Sequence, residues 1–174
     1  PDLVIYSAAV PEDHPELVEA RRHNVKCQKY AQALGELTKE RFTIAVSGMH
    51  GKSTTTAMIG LILEAARLDP TVIVGTKVKW NSPRSFSNFR FGKSQYLVIE
   101  ADEYDQSFLN YWPKIIVLTN IEEEHLDTYK DLTDIMKTFG EYVGHLPDDG
   151  ILVANEEDAN IRVLIQNSKF KIQN

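Results

Sequence analysis

One stretch restricts the possible fold more than any other part of the chain, because three elements of different character follow one another without a break. An apolar run over residues 42–46 (FTIAV) leads into a loop with two glycines (SGMHGKS), and a run of helical character follows (TTTAMIGLILEAARL). In that last run Met58, Ile59, Ile62 and Leu63 recur at intervals typical of a helix face. Strand, glycine loop and helix in this order form the arrangement that a phosphate-binding loop requires. The sequence therefore predicts an α/β protein built around such a loop.

The loop contains the residue types that bind the phosphates of a nucleotide. In a phosphate loop, successive backbone N–H groups surround the phosphates, a lysine contacts the outer ones and a Ser or Thr hydroxyl binds magnesium. Gly51, Lys52 and Ser53 match these roles. The usual pattern has a glycine five positions before Gly51, whereas this chain has Val46 there and an early glycine at Gly48. The loop is a variant, and a plain glycine-rich turn before a helix is the alternative.

Further apolar runs predict the rest of a sheet and the helices that cover it. TVIVG, YLVIEA and KIIVLTN are rich in Val and Ile, as strands buried on both faces of a parallel sheet are. Before the loop, the pattern predicts a short buried strand at Leu3–Tyr6, a helix in HPELVEARRHN and a second helix over residues 28–37. After the third run it predicts a helix at Leu132–Val143, a strand at ILVAN, a helix over residues 158–165 and a last strand at FKI. Residues 76–92 fit either a loop or a hairpin.

Two of the predicted strands end in polar side chains. These residues are Glu100, Asp102, Glu103 and Asp105 after YLVI, and Thr119, Asn120, Glu122, Glu123, Glu124, His125 and Asp127 after KIIVL. The carboxyl ends of parallel strands form the edge of a sheet at which ligands bind, and carboxylate oxygens suit magnesium. The sequence therefore predicts a site at this edge. A solvated acidic loop and a structural histidine are the alternatives.

Composition narrows the class of protein. A net charge of -6 argues against a nucleic-acid partner, since such proteins carry a basic face. No stretch approaches the roughly 20 apolar residues of a membrane span. The single cysteine, Cys27, has no internal disulfide partner, and no secretion signal is visible. We expect a cytoplasmic protein without membrane contact. Because the chain begins at Pro1 and enters an apolar run almost at once, we also expect it to be a piece of a longer protein.

Together these motifs resemble the Mur ligases, the ATP-dependent amide ligases that assemble the peptide of the bacterial cell wall. The loop of that family is a glycine, two residues and Gly-Lys-Thr or Gly-Lys-Ser, which GMHGKS matches with its early glycine at Gly48. The resemblance implies that residues 1–39 are the remnant of a UDP-sugar-binding domain. It implies that residues 40–174 are a P-loop NTPase-like central domain with a mostly parallel sheet flanked by helices. From the resemblance we also expect that the family's C-terminal domain is not part of this chain.

Within the family, the histidine of GMHGKS together with EADEYD and TNIEEEHLDTY is most similar to the branch that joins L-alanine to UDP-N-acetylmuramate. That resemblance implies a carboxylate–amine ligase that uses ATP and Mg²⁺, forms ADP and proceeds through an acyl phosphate. Such a ligase serves peptidoglycan synthesis, and with it cell shape and division.

The resemblance also assigns roles to residues. It implies that Lys52, Glu100 and His125 are catalytic, and that Ser53, Glu100 and His125 bind magnesium. His50 and, less directly, Glu103 are implied as contacts of the muramoyl substrate. The residues implied to bind the nucleotide are Gly48, Met49, His50, Gly51, Lys52, Ser53, Thr54 and Asn120.

Two departures from the family pattern keep other readings open. Met49 stands where threonine is common, and Tyr104 stands where the alanine-adding branch has serine. The tyrosine is also familiar in the related ligase that recycles a ready-made tripeptide. A nucleotide-binding fragment without activity is another alternative, as is a general nucleotide kinase or P-loop ATPase. A folylpolyglutamate synthetase is disfavoured, since its loop has asparagine at the position of His50.

Overall fold

A computed structural model describes residues 1–80 and 86–166 of the chain. Its strands are β1 (Leu3–Tyr6), β2 (Lys26–Lys29), β3 (Phe42–Ser47), β4 (Thr71–Lys79), β5 (Phe86–Arg90), β6 (Tyr96–Glu100), β7 (Ile115–Leu118) and β8 (Ile151–Ala154). Its helices are α1 (Pro15–Arg22), α2 (Tyr30–Glu40), α3 (Lys52–Ala65), α4 (Leu132–Val143) and α5 (Ala159–Gln166), with a short 3₁₀ segment at Tyr104–Asn110. None of the described helices is long and apolar enough to cross a membrane.

Six strands form the main sheet in the order β5-β4-β6-β3-β7-β8. All neighbours are parallel except β5, which runs antiparallel to β4. The prediction of a mostly parallel sheet is therefore confirmed. Of the two alternatives for residues 76–92, the structure has the hairpin, in which Lys79 lies opposite Phe86. Residues 81–85, between β4 and β5, and the predicted strand FKI fall outside the described residues.

Both faces of this sheet are covered, as the continuous apolar runs predicted. Successive residues of β3 point to opposite sides, so Ile44 joins one cluster with Val98 and Trp80, while Ala45 joins a larger one with Phe139. Helix α3 lies on the first side. It packs tightly against the sheet at Gly60, where an added Cβ would stand 3.0 Å from a methyl of Val72.

Helix α4 has the bounds that the sequence predicted. The Asp131 side chain accepts a hydrogen bond from the backbone N–H of Asp134 at 2.9 Å, which caps the first turn. Ile135, Phe139 and Tyr142 are buried at the spacing of one helix face. The cap and the apolar face both indicate the same helix, so its bounds can be read from its own sequence.

The first 30 residues depart from the prediction in three ways. Strand β1 pairs in parallel with β2, which the sequence analysis missed, and the predicted helix over residues 28–37 begins at Tyr30 instead. The prediction that β1 is buried is wrong, because Leu3 is 41% and Ile5 is 51% exposed. The reason is that the two-stranded sheet presents these side chains on a face that no described residue covers fully. The proposed domain boundary after residue 39 stays a prediction, and Leu34 of α2 already packs into the larger cluster of the main sheet.

Candidate active site

The carboxyl ends of three adjacent strands bring the predicted site residues to one edge of the main sheet. In the register of the sheet, Val46 of β3 lies beside Glu100 of β6, and Ser47 lies beside Leu118 of β7. The loop after β3 therefore lies between the segments that follow β6 and β7. This is the edge at which ligands bind in open α/β sheets.

Two glycines give the loop its shape. Gly48 has a φ of 127° and Gly51 a φ of 81°, backbone conformations that other residues rarely adopt. A Cβ at Gly48 would stand 2.2 Å from Oγ1 of Thr119 and 2.8 Å from the carbonyl oxygen of Asn120. Gly48 is thus required both for its φ and for the close approach of the loop to the end of β7. Gly51 directly precedes α3, so the loop opens onto the amino-terminal end of a helix, the usual place for a bound anion.

Asn120 and Thr119 hold the loop in place. The backbone N–H of His50 donates to Oδ1 of Asn120 at 2.9 Å, and Nδ2 of Asn120 donates back to the His50 carbonyl at 3.1 Å. The Thr119 hydroxyl donates to the same carbonyl at 2.7 Å. The side chain of Asn120 therefore orients the loop, and its predicted contact with the nucleotide stays a prediction. Met49 is 6% exposed, so its side chain belongs to the core.

Ser53 and Glu100 form a compact group of oxygen atoms beside the loop. The Ser53 hydroxyl donates to Oε1 of Glu100 at 2.9 Å, and the backbone N–H of Gly75 donates to Oε2 at 2.5 Å. A hydroxyl and a carboxylate at this separation have the chemistry of magnesium ligands, so the pair fits the predicted ion. Gly75 was not singled out by the sequence analysis. A Cβ there would stand 2.9 Å from Oε2, so a larger residue at this position would make the Glu100 carboxylate shift.

Glu103 is the most buried ionisable group of the site. Its side chain is 0% exposed, and its Oε1 lies 2.8 Å from Nζ of Lys52 and 3.2 Å from Nε2 of His125. Burial raises the pKa of the Glu103 carboxyl above its ordinary value, and the Lys52 ammonium opposes that rise. Oε2 has no hydrogen-bond partner among the described residues. The predicted substrate contact by Glu103 stays a prediction, and its observed partners are Lys52 and His125.

His125 is held from several sides. Its backbone has a φ of 55°, and its ring makes an edge-on contact with Tyr104, with 5.5 Å between the ring centres. The Tyr104 hydroxyl donates to Asp127 at 3.0 Å. Of the three predicted magnesium ligands, Ser53 and Glu100 contact each other, whereas the His125 ring lies within hydrogen-bonding distance of Glu103 instead. No group of three or more His, Cys, Asp or Glu residues forms a metal-binding cluster in the described ranges.

His50 and Thr54 lie at the surface of the loop. Nε2 of His50 is 3.2 Å from Glu124 and 3.7 Å from Glu122, and the His50 side chain is 56% exposed. The ring is therefore accessible to a ligand approaching from solvent. Thr54 is exposed as well. The roles predicted for both residues stay predictions.

Comparison with known proteins places this geometry in a family. The model named Mur ligase middle domain matches residues 46–173, and the model named Mur ligase family, catalytic domain, matches residues 1–42. Together the two models account for nearly the whole chain. The first covers the phosphate loop and all three of the strand ends described above.

Two curated relatives share one name. The chain is 48% identical over 161 residues to the UDP-N-acetylmuramate--L-alanine ligase of Caldicellulosiruptor saccharolyticus, covering 92% of this chain and 34% of the relative. It is 45% identical over 167 residues to the enzyme of the same name from Clostridium tetani, covering 95% of this chain and 36% of the relative. The chain therefore spans about a third of the length of these relatives.

Solved structures agree on the fold. The UDP-N-acetylmuramate-alanine ligase of Thermotoga maritima superposes with a TM-score of 0.80 at 31% identity, covering 94% of this chain and 37% of that one. The UDP-N-acetylmuramate:L-alanyl-gamma-D-glutamyl-meso-diaminopimelate ligase from Neisseria meningitides superposes with a TM-score of 0.78 at 26% identity, covering 96% and 56%. The two names differ in the group that is joined to the sugar nucleotide.

Proposed function

This chain belongs to the Mur ligase family, and we propose that it acts in an ATP-dependent ligase that joins L-alanine to UDP-N-acetylmuramate in peptidoglycan synthesis. The observation that carries the proposal is the phosphate-type loop, with Lys52 and Ser53 at its end and Glu100 in contact with Ser53. The identity of 48% to a relative of that name supports the choice of substrates. The proposal includes ATP as the phosphoryl donor and a cytoplasmic location.

The chemistry of amide formation explains why this site is suited to it. A carboxylate becomes a good acyl donor once its oxygen carries a phosphoryl group, which ATP supplies, and the amine then displaces phosphate. The protein's task is to position the reactants and to stabilise negative charge. In the proposed site the Lys52 ammonium stabilises the charge of the outer phosphates, and the backbone N–H groups of the loop surround them.

The proposal gives Ser53 and Glu100 the role of holding magnesium. A magnesium ion at this pair neutralises phosphate charge when it is bound. His125 is proposed to assist at the acceptor carboxylate, and His50 to contact the muramoyl group from the exposed side of the loop. Thr119 and Asn120 are proposed to keep the loop in position for both substrates.

A second candidate is the ligase that adds a ready-made tripeptide to the same sugar nucleotide. It is favoured by Tyr104 and by the structural match to the Neisseria enzyme, whose name describes the joining of such a peptide. The acceptor sugar and the phosphoryl chemistry are the same in both candidates. They differ in the amine, so a comparison of L-alanine with the tripeptide as amine substrate separates them.

Titration calorimetry with a non-hydrolysable ATP analogue and magnesium tests the proposed nucleotide site. We expect the chain to bind the analogue, and Lys52→Ala to weaken binding by at least about tenfold because a charge-assisted contact to phosphate is lost. Lys137→Ala is the matched control, since Lys137 is an exposed lysine of α4, and it should bind like the unaltered chain. Equal affinity in Lys52→Ala and the unaltered chain would contradict the proposal.

A further inference from the structure

We infer that Glu103 is a positioning residue that fixes the tautomer of His125, by accepting a hydrogen bond from Nε2–H and leaving the Nδ1 lone pair free. The contact on which this rests is the 3.2 Å separation between Nε2 of His125 and Oε1 of Glu103. For its use in catalysis the inference rests on the proposed function. The tautomer itself is a property of the chain without nucleotide or metal.

The partners of Oε1 decide which nitrogen carries the proton. Lys52 has only donors on its ammonium group, and its Nζ lies 2.8 Å from Oε1, so this oxygen is an acceptor. A carboxylate oxygen has room for a second donor, and Nε2 of His125 occupies that position. An unprotonated Nε2 there would set its lone pair against those of the oxygen. Nε2 therefore carries the hydrogen, and in the neutral ring Nδ1 carries the lone pair.

Burial prevents the carboxylate from turning away from this bond. The Glu103 side chain is 0% exposed, and the Tyr129 hydroxyl, itself on a buried residue, donates to the Glu103 backbone carbonyl at 2.5 Å. The ring of His125 is also limited by the edge-on contact with Tyr104. Burial and Tyr129 thus restrict Glu103, and Tyr104 restricts His125, independently of the hydrogen bond between them.

A fixed tautomer has a use at this site. A histidine that binds a metal or receives a proton through one nitrogen commonly has its other N–H oriented by a carboxylate. Glu103 has this relation to His125, and the same oxygen also holds Lys52. One buried atom therefore sets the geometry of the lysine proposed for the phosphates and of the histidine proposed for the acceptor group.

Nitrogen NMR of the histidine rings tests the inference in the metal-free, nucleotide-free chain. The chain has five histidines, so the His125 signals are identified by their loss in His125→Gln. We expect a single tautomer with the hydrogen on Nε2, and an Nε2–H proton that is protected from exchange with water. A protonated Nδ1 in the neutral ring, or an Nε2–H that exchanges as fast as those of exposed histidines, would overturn the inference.

Two substitutions of Glu103 separate positioning from a merely structural role. Glu103→Met keeps the length of the side chain but has no acceptor oxygen, so we expect the protected Nε2–H signal to disappear. Glu103→Gln keeps one acceptor oxygen and should restore the signal. Tyr142→Phe is the control, since it removes a buried hydroxyl that has no hydrogen-bond partner among the described residues, and it should keep the signal. A protected signal that survives in a folded Glu103→Met would contradict the inference. If Glu103→Met does not fold, the tautomer of the unaltered chain decides.

The nucleotide titration and the NMR measurement together distinguish the proposed nucleotide site from the proposed role of Glu103. A fixed Nε2–H tautomer without binding of the ATP analogue would overturn the proposed nucleotide site and support the role of Glu103. Binding of the analogue with a mixture of His125 tautomers would support the nucleotide site and overturn the role of Glu103.

Discussion

The two sheets of the protein differ in how deeply their apolar side chains are buried. Strands β3 and β6 of the six-stranded sheet are central, and Ala45 and Val98 are fully buried on its opposite faces. The two-stranded sheet of β1 and β2 leaves Leu3 and Ile5 41% and 51% exposed. Because buried apolar area is the main source of stability, we conclude that stability lies mostly in the six-stranded sheet. The candidate site is built on the better packed of the two regions.

The largest effect should come from shortening a side chain in the larger core. Phe139 is 0% exposed and makes an edge-on contact with Phe108, with 5.1 Å between the ring centres. We expect Phe139→Ala to lower the free energy of unfolding by about 3–5 kcal/mol. Ile5→Ala in the small sheet should lower it by about 0.5–1 kcal/mol, since half of that side chain is already in water. Chemical denaturation measures both, and equal losses would contradict the comparison.

A smaller difference in the loss of stability is expected between two positions with positive φ, Gly48 beside the six-stranded sheet and Asn24 beside the two-stranded sheet. At Gly48 a Cβ meets both a side chain and the backbone at the end of β7, so Gly48→Ala should cost about 2–4 kcal/mol. Asn24 has a φ of 55° in an exposed turn before β2, and Asn24→Ala should cost about 1 kcal/mol from backbone strain alone. Thermal unfolding of the two variants checks the order. A Gly48→Ala variant as stable as Asn24→Ala would show that the loop can move away from Thr119.

The smallest effects concern one carboxylate in each region. The backbone N–H of Lys93 and the Arg90 guanidinium lower the pKa of Asp69 below its ordinary 3.8, and the Tyr6 hydroxyl and Arg21 lower the pKa of Glu12 below 4.5. A lowered pKa gives stability that is complete above the ordinary value and is lost as the pH falls through the folded-state value. Asp69→Asn and Glu12→Gln should therefore each make stability less dependent on pH in acid.

The Asp69–Arg90 pair, in the region of the six-stranded sheet, should contribute more to stability than the Glu12–Arg21 pair. Arg90 is 15% exposed as a side chain, whereas Arg21 is 43% exposed, so the Glu12 pair is screened more strongly by water and salt. Acid titrations of stability at low and high salt check this. We expect added salt to remove the effect of Glu12→Gln first, and the reverse order would contradict the difference between the regions.

The sequence predicted the parts of the fold that depend on local pattern. The prediction of helix α4 was correct at both ends because its cap at Asp131 and its apolar face agree. Strands β3, β4, β6, β7 and β8 were predicted from continuous apolar runs, whereas β5 (Phe86–Arg90) fell in the region for which a loop and a hairpin both stayed open. Strand β2 was missed because KCQK has no apolar alternation. Its pairing with β1 depends on a neighbour that is distant in sequence, which local propensity does not indicate.

The sequence predicted which residues belong to the candidate site, but not which of them contact one another. The sequence indicated Lys52, Glu103 and His125 separately, and only the fold shows that they share one oxygen atom. The path of the chain between Glu103 and His125 depends on positive φ values at Asp105 and Gln106, two residues whose types do not require them. A resemblance between motifs assigns roles residue by residue, whereas these contacts arise from strand order and from turns of unusual backbone conformation.

The close approach of α3 to the sheet at Gly60 has a consequence for the site at the other end of that helix. Lys52 is the first residue of α3, so it lies about 12 Å along the axis from Gly60, at a rise of about 1.5 Å per residue. A Cβ at Gly60 would stand 3.0 Å from Val72 and 3.1 Å from Trp80, so these side chains or the helix itself would have to shift by a few tenths of an ångström. Any part of that shift taken up by the helix as a rigid body also displaces its first turn, which begins with Lys52. A small residue two turns along the helix, in contact with the sheet rather than with a ligand, therefore helps to keep Lys52 in its position at the site.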